Sequence, residues 1–142
     1  MKLVYICSPF RDDDKLKEYA NTRAAQSYCR KAYEQNCIPV APHLYFPQFL
    51  ADENPKERDL ALRIGLRLID YCSEVWVHGD RISDGMRGEI EYAEATDKPI
   101  VYIRNGKCES GRCFSGVFNA VGEDEFKDLI EDGITADIPG SR

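Results

Sequence analysis

The feature that most constrains this chain is a regular alternation of short apolar runs with longer helical patterns. Runs rich in β-branched and aromatic residues predict four strands, at 3–7, 38–42, 74–79 and 99–103. Helical patterns lie between them, at 14–35, from 54 to about 72, and from 83 onward, and "EDEFKDLIEDG" predicts a last short helix. Strands that alternate with helices predict right-handed βαβ units and a parallel sheet.

The length and composition fit one globular domain. The chain has 142 residues, 43% of them hydrophobic and 31% charged, which is enough to bury a core and too apolar for a disordered chain. The predicted fold class is therefore α/β, a single-domain Rossmann- or flavodoxin-like parallel sheet of about four to five strands with helices on both faces. The domain is expected to span 1–142, with a frayed tail from about 135.

The segment between the second strand and the second helix contains several prolines and aromatic residues. Its sequence, "PHLYFPQFLADENP", predicts a loop. At its end Asn54 is placed as a helix cap, Pro55 at the first helical turn and Glu57 at the capping-box position.

The net charge and the hydrophobic pattern limit the classes of partner that this protein is expected to bind. A net charge of −6 argues against a nucleic-acid polymer, because phosphate backbones are bound by basic surfaces. No apolar run approaches the roughly 20 residues of a membrane helix, and "MKLVYICSPFRDDD" lacks the pattern of a secretion signal. A cytoplasmic protein that binds a small molecule is expected.

Cysteine spacing gives little indication of metal binding. Cys108 and Cys113, in "CESGRC", are the one close pair among six cysteines, and no second pair or nearby histidine completes a zinc site. The other cysteines lie in or beside predicted strands and helices, where a free thiol packs as a small hydrophobic group. No metal and no disulfide are predicted.

Ligands of such sheets bind beyond the carboxyl ends of the strands. The loops at that edge contain Ser8, Arg11, His43 and Ser83 and lead to Glu89. None of them contains the glycine fingerprint of a dinucleotide site or a Walker-type phosphate loop, so no nicotinamide, ATP or other cofactor is predicted.

Glu89 stands out in the stretch "SDGMRGEIEYAEA" at 83–95. Met86, Ile90 and Ala93 follow the spacing of a buried helical face, and Glu89 occupies the remaining position of that stripe. A carboxylate there predicts a raised pKa and a functional role. The alternative is an ion pair with Arg87 or Arg81.

The neighbouring loops predict recognition of a phosphate and a flat ring, and each residue also has a structural interpretation. Arg11 and Ser83 suit a single phosphate at a helix start, although Arg11 could instead pair with the adjacent aspartates and Ser83 could only cap the helix. His43 could serve only to satisfy backbone groups. Tyr45 and Phe46 could stack on a base or simply belong to the core.

Four separated segments carry a resemblance to a known family. "VYICSPFR", "IPVAPHLYFPQF", "EVWVHGDRISDGMRGEIEYA" and "KPIVYI" together resemble the nucleoside 2-deoxyribosyltransferase-like superfamily, over about residues 3 to 120. In that superfamily a glutamate in a G-x-x-x-E-[LI]-x-x-A helix attacks the anomeric carbon of a nucleoside. Gly85, Glu89, Ile90 and Ala93 match this motif, so the resemblance implies that Glu89 is the nucleophile.

The 2'-deoxynucleoside 5'-phosphate N-glycosidases of the superfamily suggest further roles. The resemblance implies that Tyr5, Arg11, His43, Ser83, Gly85 and Ser115 contact substrate. The positions of Ser8 and Asp84 in the same loops add these two residues to the predicted substrate-binding set. Ser115, in "GRCFSGVFNA", would reach into a neighbouring subunit, which implies a homodimer or higher homo-oligomer. The apolar residues of "CFSGVFNAV" agree with an interface.

One departure from the family pattern leaves the activity open. The enzymes carry an aspartate where this sequence has Gly65, and Ser73 replaces a second aspartate before the third strand. Asp70 and Asp80 do not match by spacing, and the proton donor could be Asp80, Asp84 or His43. The expected function is cleavage or transfer of the N-glycosidic bond of a nucleoside or nucleoside 5'-monophosphate. The alternatives are a non-catalytic nucleotide-binding module and an interaction domain with a vestigial pocket.

Overall fold

A five-stranded sheet forms the centre of the computed structural model, which describes residues 1–104 and 107–108. The strands are β1 (Lys2–Cys7), β2 (Cys37–Val40), β3 (Glu74–His78), β4 (Ile100–Arg104) and β5 (Lys107–Cys108). Their order across the sheet is β2-β1-β3-β4-β5. The first four are parallel, and β5 runs antiparallel to β4. The predicted α/β fold class is confirmed.

Four helices connect the strands. They are α1 (Lys15–Glu34), α2 (Pro42–Tyr45), α3 (Pro55–Tyr71) and α4 (Asp84–Ala95). Side chains cap three of them. Asn54 accepts from the Lys56 amide and Ser83 from the Met86 amide, as the sequence predicts, and Asp14 accepts from the Leu16 amide.

The segment 42–55 is more regular than the sequence predicts. The predicted strand 38–42 ends at Val40, because Pro42 begins α2 and a 3-10 turn follows at Phe46–Gln48. The prediction of an uninterrupted loop was therefore wrong. Proline is well suited to a first helical turn, because its fixed φ is already helical and its missing N–H needs no partner. The segment brings Pro42, His43 and Phe46 to one cavity.

Residues of β1 alternate between two apolar layers. Val4 and Ile6 pack with Trp76 on the face covered by α1. Tyr5 and Cys7 point to the opposite face, where α3 and α4 contribute residues such as Ile69 and Ile90. Helices therefore cover both faces, as predicted. Because side chains alternate along a strand, this register fixes Tyr5 and Cys7 on the side of α4.

Within the described ranges, no helix is both long and apolar enough to cross a membrane. Several predictions fall on residues outside those ranges: Cys113, Ser115, the helix predicted at 123–133 and the tail from about 135.

Candidate active site

A cavity of about 450 Å³ opens beyond the carboxyl end of β1, between α3 and the start of α4. The structure brings to its walls the predicted site residues that it describes: Tyr5, Ser8, Arg11, His43, Ser83, Asp84, Gly85 and Glu89. They come from β1 and the loop after it, from α2, and from the first turns of α4. The volume lies within the range of small-molecule sites. That these residues bind a substrate stays a prediction.

Glu89 reaches the floor of this cavity from the second turn of α4. The Tyr5 hydroxyl donates a hydrogen bond of 2.9 Å to Glu89 Oε1. The Cys7 thiol lies near the same carboxylate and donates to the Met86 carbonyl oxygen at 3.9 Å. Burial raises the pKa of Glu89 to about 7, although the neighbouring Cys7 thiol and Tyr5 hydroxyl favour the ionised form. Glu89 does not pair with Arg87 or Arg81, the alternative left open by the sequence; Arg81 lies 3.9 Å from Asp12.

Gly65 provides the space for the Tyr5 hydroxyl. It is buried on α3 at the wall of the cavity, and a Cβ atom added there would lie 3.3 Å from Tyr5 Oη. Glycine in a helix interior costs about 1 kcal/mol relative to alanine. A close approach between α3 and Tyr5 gives a physical reason for glycine at this position.

His43 and Ser8 form a second polar pair in the cavity. Ser8 Oγ and His43 Nε2 lie 2.9 Å apart, and the ring of Phe10 is tilted against the imidazole at 6.0 Å between centroids. Burial lowers the pKa of His43 to about 4. The imidazole is therefore neutral at pH 7 and brings no positive charge to the site.

The two residues expected to bind phosphate already have partners. Arg11 Nε lies 3.3 Å from Asp52 Oδ2, so its ion pair is with Asp52 and not with the adjacent aspartates. Ser83 Oγ accepts from the Met86 amide at 3.3 Å. Both side chains still line the cavity.

Two aspartates considered as substitutes for the missing carboxylate lie elsewhere. Asp70 accepts a hydrogen bond from Tyr92 and pairs with Arg67. Asp80 is near Tyr28 and lines a separate depression beside α1. Of the three candidate proton donors, Asp84 and His43 line the cavity and Asp80 does not.

Phe10, Asp52 and Arg58 are among the cavity residues that the sequence reasoning missed. It also missed Cys7, which lies near the Glu89 carboxylate but does not line the cavity. Cys7 had a usable signal, because a period of two along β1 places it on the same face as Tyr5. Asp52 had none, because its position depends on the path of the segment 42–55. Of the two aromatic residues proposed for a base, Phe46 lines the cavity, whereas Tyr45 is exposed and packs edge-on against Phe49.

No group of three or more histidine, cysteine, aspartate or glutamate side chains is arranged to hold a metal ion within 1–104 and 107–108. Cys108 lies in β5, and Cys113 lies outside the residues that the structure describes. The absence of a metal and of a cofactor remains a prediction.

Comparison with known proteins places the chain in a family. Residues 2–103 match the model of a domain of unknown function, DUF7768. This chain belongs to the DUF7768 family. The matched segment of this DUF7768 protein contains every cavity residue named above. No functionally curated protein matches its sequence.

A solved structure shares the fold of this DUF7768 protein. It is a 2-deoxyribosyltransferase from Bacillus psychrosaccharolyticus, 18% identical in sequence, and the match covers 72% of each chain with a TM-score of 0.54. At 18% sequence identity the similarity shows a common fold, and a common fold does not by itself imply a common activity.

Proposed function

We propose that this protein cleaves or transfers the N-glycosidic bond of a nucleoside or nucleoside 5'-monophosphate, with Glu89 as the nucleophile. The observation that carries the proposal is the Glu89 carboxyl group, held by Tyr5 at the floor of a cavity large enough for a nucleoside. The shared fold with a 2-deoxyribosyltransferase supports it.

The chemistry requires a carboxylate in this kind of position. Breaking the C1'–N bond builds positive charge on the sugar, which a nearby carboxylate stabilises or captures as a covalent ester. Attack by water or by a second base then releases the sugar from Glu89 with retained configuration. A pKa of about 7 leaves a large fraction of Glu89 ionised at neutral pH.

The remaining cavity residues have supporting roles in the proposal. Tyr5 orients the carboxylate, and the apolar side chains of Phe10 and Phe46 offer surface to a flat base. Asp84 and His43 are the candidate groups for proton transfer to the leaving base. The proposed assembly is a homodimer or higher homo-oligomer in which Ser115 completes the neighbouring site.

A second candidate function is a nucleotide-binding module without turnover. Gly65 favours it, because this position of the cavity wall has no side-chain carboxylate, and related enzymes are expected to carry an aspartate there. A module of this kind would bind nucleosides through the same cavity.

Two measurements on the same samples distinguish the functions. An enzyme releases free base from a nucleoside, and a binding module shows a ligand-dependent rise in melting temperature without release. We expect release from at least one nucleoside or monophosphate. If no compound in a panel of nucleosides and monophosphates is cleaved or raises the melting temperature, both functions are wrong.

A further inference from the structure

We propose that the cavity selects its nucleoside by charge, favouring one with a positively charged base and disfavouring one with a 5'-phosphate. This inference rests on the proposed function and specifies the substrate class of the same site. The observation behind it is the strongly acidic lining of the cavity.

Carboxylic side chains outnumber guanidinium groups by six to two among the described cavity residues. The acidic set is Asp12, Asp13, Asp52, Glu57, Asp84 and Glu89, and the basic set is Arg11 and Arg58. His43 adds no positive charge at neutral pH. A low-dielectric cleft lined by one sign of charge concentrates ligands of the opposite sign.

The basic groups do not offset this excess at the places where a phosphate would bind. Arg11 is held by Asp52 at 3.3 Å. Arg58 is exposed in the first turns of α3, and its single charge does not balance the carboxylic side chains of the cavity. The start of α4, which would otherwise attract an anion, carries Asp84 in its first turn. A phosphate would therefore meet carboxylates at each of these walls.

Charge on the ligand also acts on Glu89. A cation bound above the cavity floor stabilises the carboxylate and lowers its pKa, so that more of the nucleophile is ionised. A phosphate has the opposite effect on a carboxyl group that burial already holds at a raised pKa. A cationic ligand is thus favoured twice, because the acidic cavity binds it more tightly and because it increases the ionised fraction of Glu89.

A positively charged base also simplifies the reaction. When the C1'–N bond breaks, its electron pair moves to the cationic ring nitrogen, and the base leaves neutral without taking up a proton. Glu89 forms the new bond to C1' through a carboxylate oxygen. Water then attacks C1', the carboxylate is regenerated, and one proton is released to solvent.

A series of three ligands on one scaffold tests the charge order. Nicotinamide riboside carries a cationic ring, nicotinic acid riboside balances the same ring with a carboxylate, and nicotinamide mononucleotide adds a 5'-phosphate. We expect dissociation constants, measured by titration calorimetry at pH 7.5, to rise in that order by about tenfold per unit of charge. The differences should shrink between 0.05 and 0.5 M NaCl, because salt screens charges.

One substitution should reduce the expected selectivity against a 5'-phosphate. Asp52→Asn removes a carboxylate and frees Arg11, so the affinity for nicotinamide mononucleotide should rise about tenfold or more. Asp59→Asn is the matched control, because Asp59 is also an exposed aspartate in an ion pair, with Arg63, and does not line the cavity. It should leave all three affinities unchanged.

The outcomes separate the inference from the proposed function. If neutral nucleosides are cleaved but the mononucleotide binds as tightly as the riboside or more tightly, the charge preference is wrong and the proposed function stands. An unchanged mononucleotide affinity in Asp52→Asn would also contradict the inference. If neither these ligands nor neutral nucleosides bind or are cleaved, both proposals fail.

Discussion

The Tyr5 hydroxyl donates a 2.9 Å hydrogen bond to Glu89 across 84 positions of the sequence. Tyr5 is 1% exposed in a central strand, whereas Glu89 is on a helix and opens to the cavity. The sheet thus holds the Tyr5 hydroxyl in position, and the hydrogen bond from Tyr5 orients the Glu89 carboxylate. The first three predictions test this pair.

Glu89→Gln should reduce base release by at least about a thousandfold, because an amide cannot capture the sugar. The amide oxygen can still accept from Tyr5, so the fold should persist. Glu91→Gln is the control, because Glu91 is exposed on the same helix. Release is measured by chromatography, and wild-type turnover in Glu89→Gln would contradict the assignment.

The stability difference between wild type and Glu89→Gln should depend on pH. Glu89 has a folded pKa of about 7 against an ordinary value of 4.5, so the folded state binds its proton more tightly. Wild-type stability relative to the variant should therefore fall as pH rises from 4.5 to 7 and level off above 7. The total change is roughly 3 kcal/mol. Urea unfolding at pH 4.5, 6 and 8 measures it, and an equal difference at all three would refute the raised pKa.

Tyr5→Phe should raise the pKa of Glu89 further, because the lost hydrogen bond favoured the ionised carboxylate. If ionised Glu89 is the nucleophile, the pH midpoint of base release moves upward, and the rate at pH 6.5 falls about tenfold. Tyr92→Phe is the matched control, since Tyr92 donates a comparable bond to Asp70 outside the cavity. An identical pH profile in the two variants would argue against the role of Tyr5.

Gly65→Ala and Gly88→Ala should differ although both add a methyl group to a helix interior. An added Cβ at Gly88 meets nothing within 4 Å, so alanine should stabilise the fold by about 0.5–1 kcal/mol. At Gly65 the Cβ would crowd Tyr5 Oη at 3.3 Å. We expect little or no gain in unfolding free energy there and an upward shift of the pH midpoint for base release. Equal gains and unchanged pH profiles would show that Gly65 does not make room for Tyr5.

A shared site between subunits predicts complementation. If Ser115 reaches into the neighbouring cavity, mixing Glu89→Gln with Ser115→Trp subunits should restore part of the activity. One cavity of the mixed dimer then holds both defects and the other holds neither. Sedimentation velocity at micromolar concentration is the companion measurement, and a monomer that still binds nucleoside would rule the arrangement out.

Local patterns in the sequence predicted most of the fold. Strand runs and capping residues such as Asn54 and Ser83 are short-range signals, and the structure places these elements close to their predicted positions. The helix α2 was missed because four residues beginning at Pro42 show no periodicity. Its position depends on tertiary contacts, such as those with α1, which no local pattern records.

Within the candidate site, a local pattern in the sequence indicated Glu89 but not its partners. Glu89 was conspicuous because it interrupts an apolar helical stripe. Its pairing with Tyr5 required the parallel alignment of β1 with β3 and the placement of α4 over them. The ion pair of Arg11 with Asp52 likewise depends on the folded path of the segment 42–55.

The position of β1 within the sheet has a consequence for synthesis of the chain. β1 is the first of the described strands to be made, yet it needs partners on both sides, β2 and β3. Val4 aligns with Pro39 on one side and Glu74 on the other. Until the chain reaches β3, one edge of the apolar run "LVYIC" stays open, and open edges recruit other chains. Fragments that end within α3 should therefore aggregate, and folding on the ribosome depends on protecting this edge until β3 emerges.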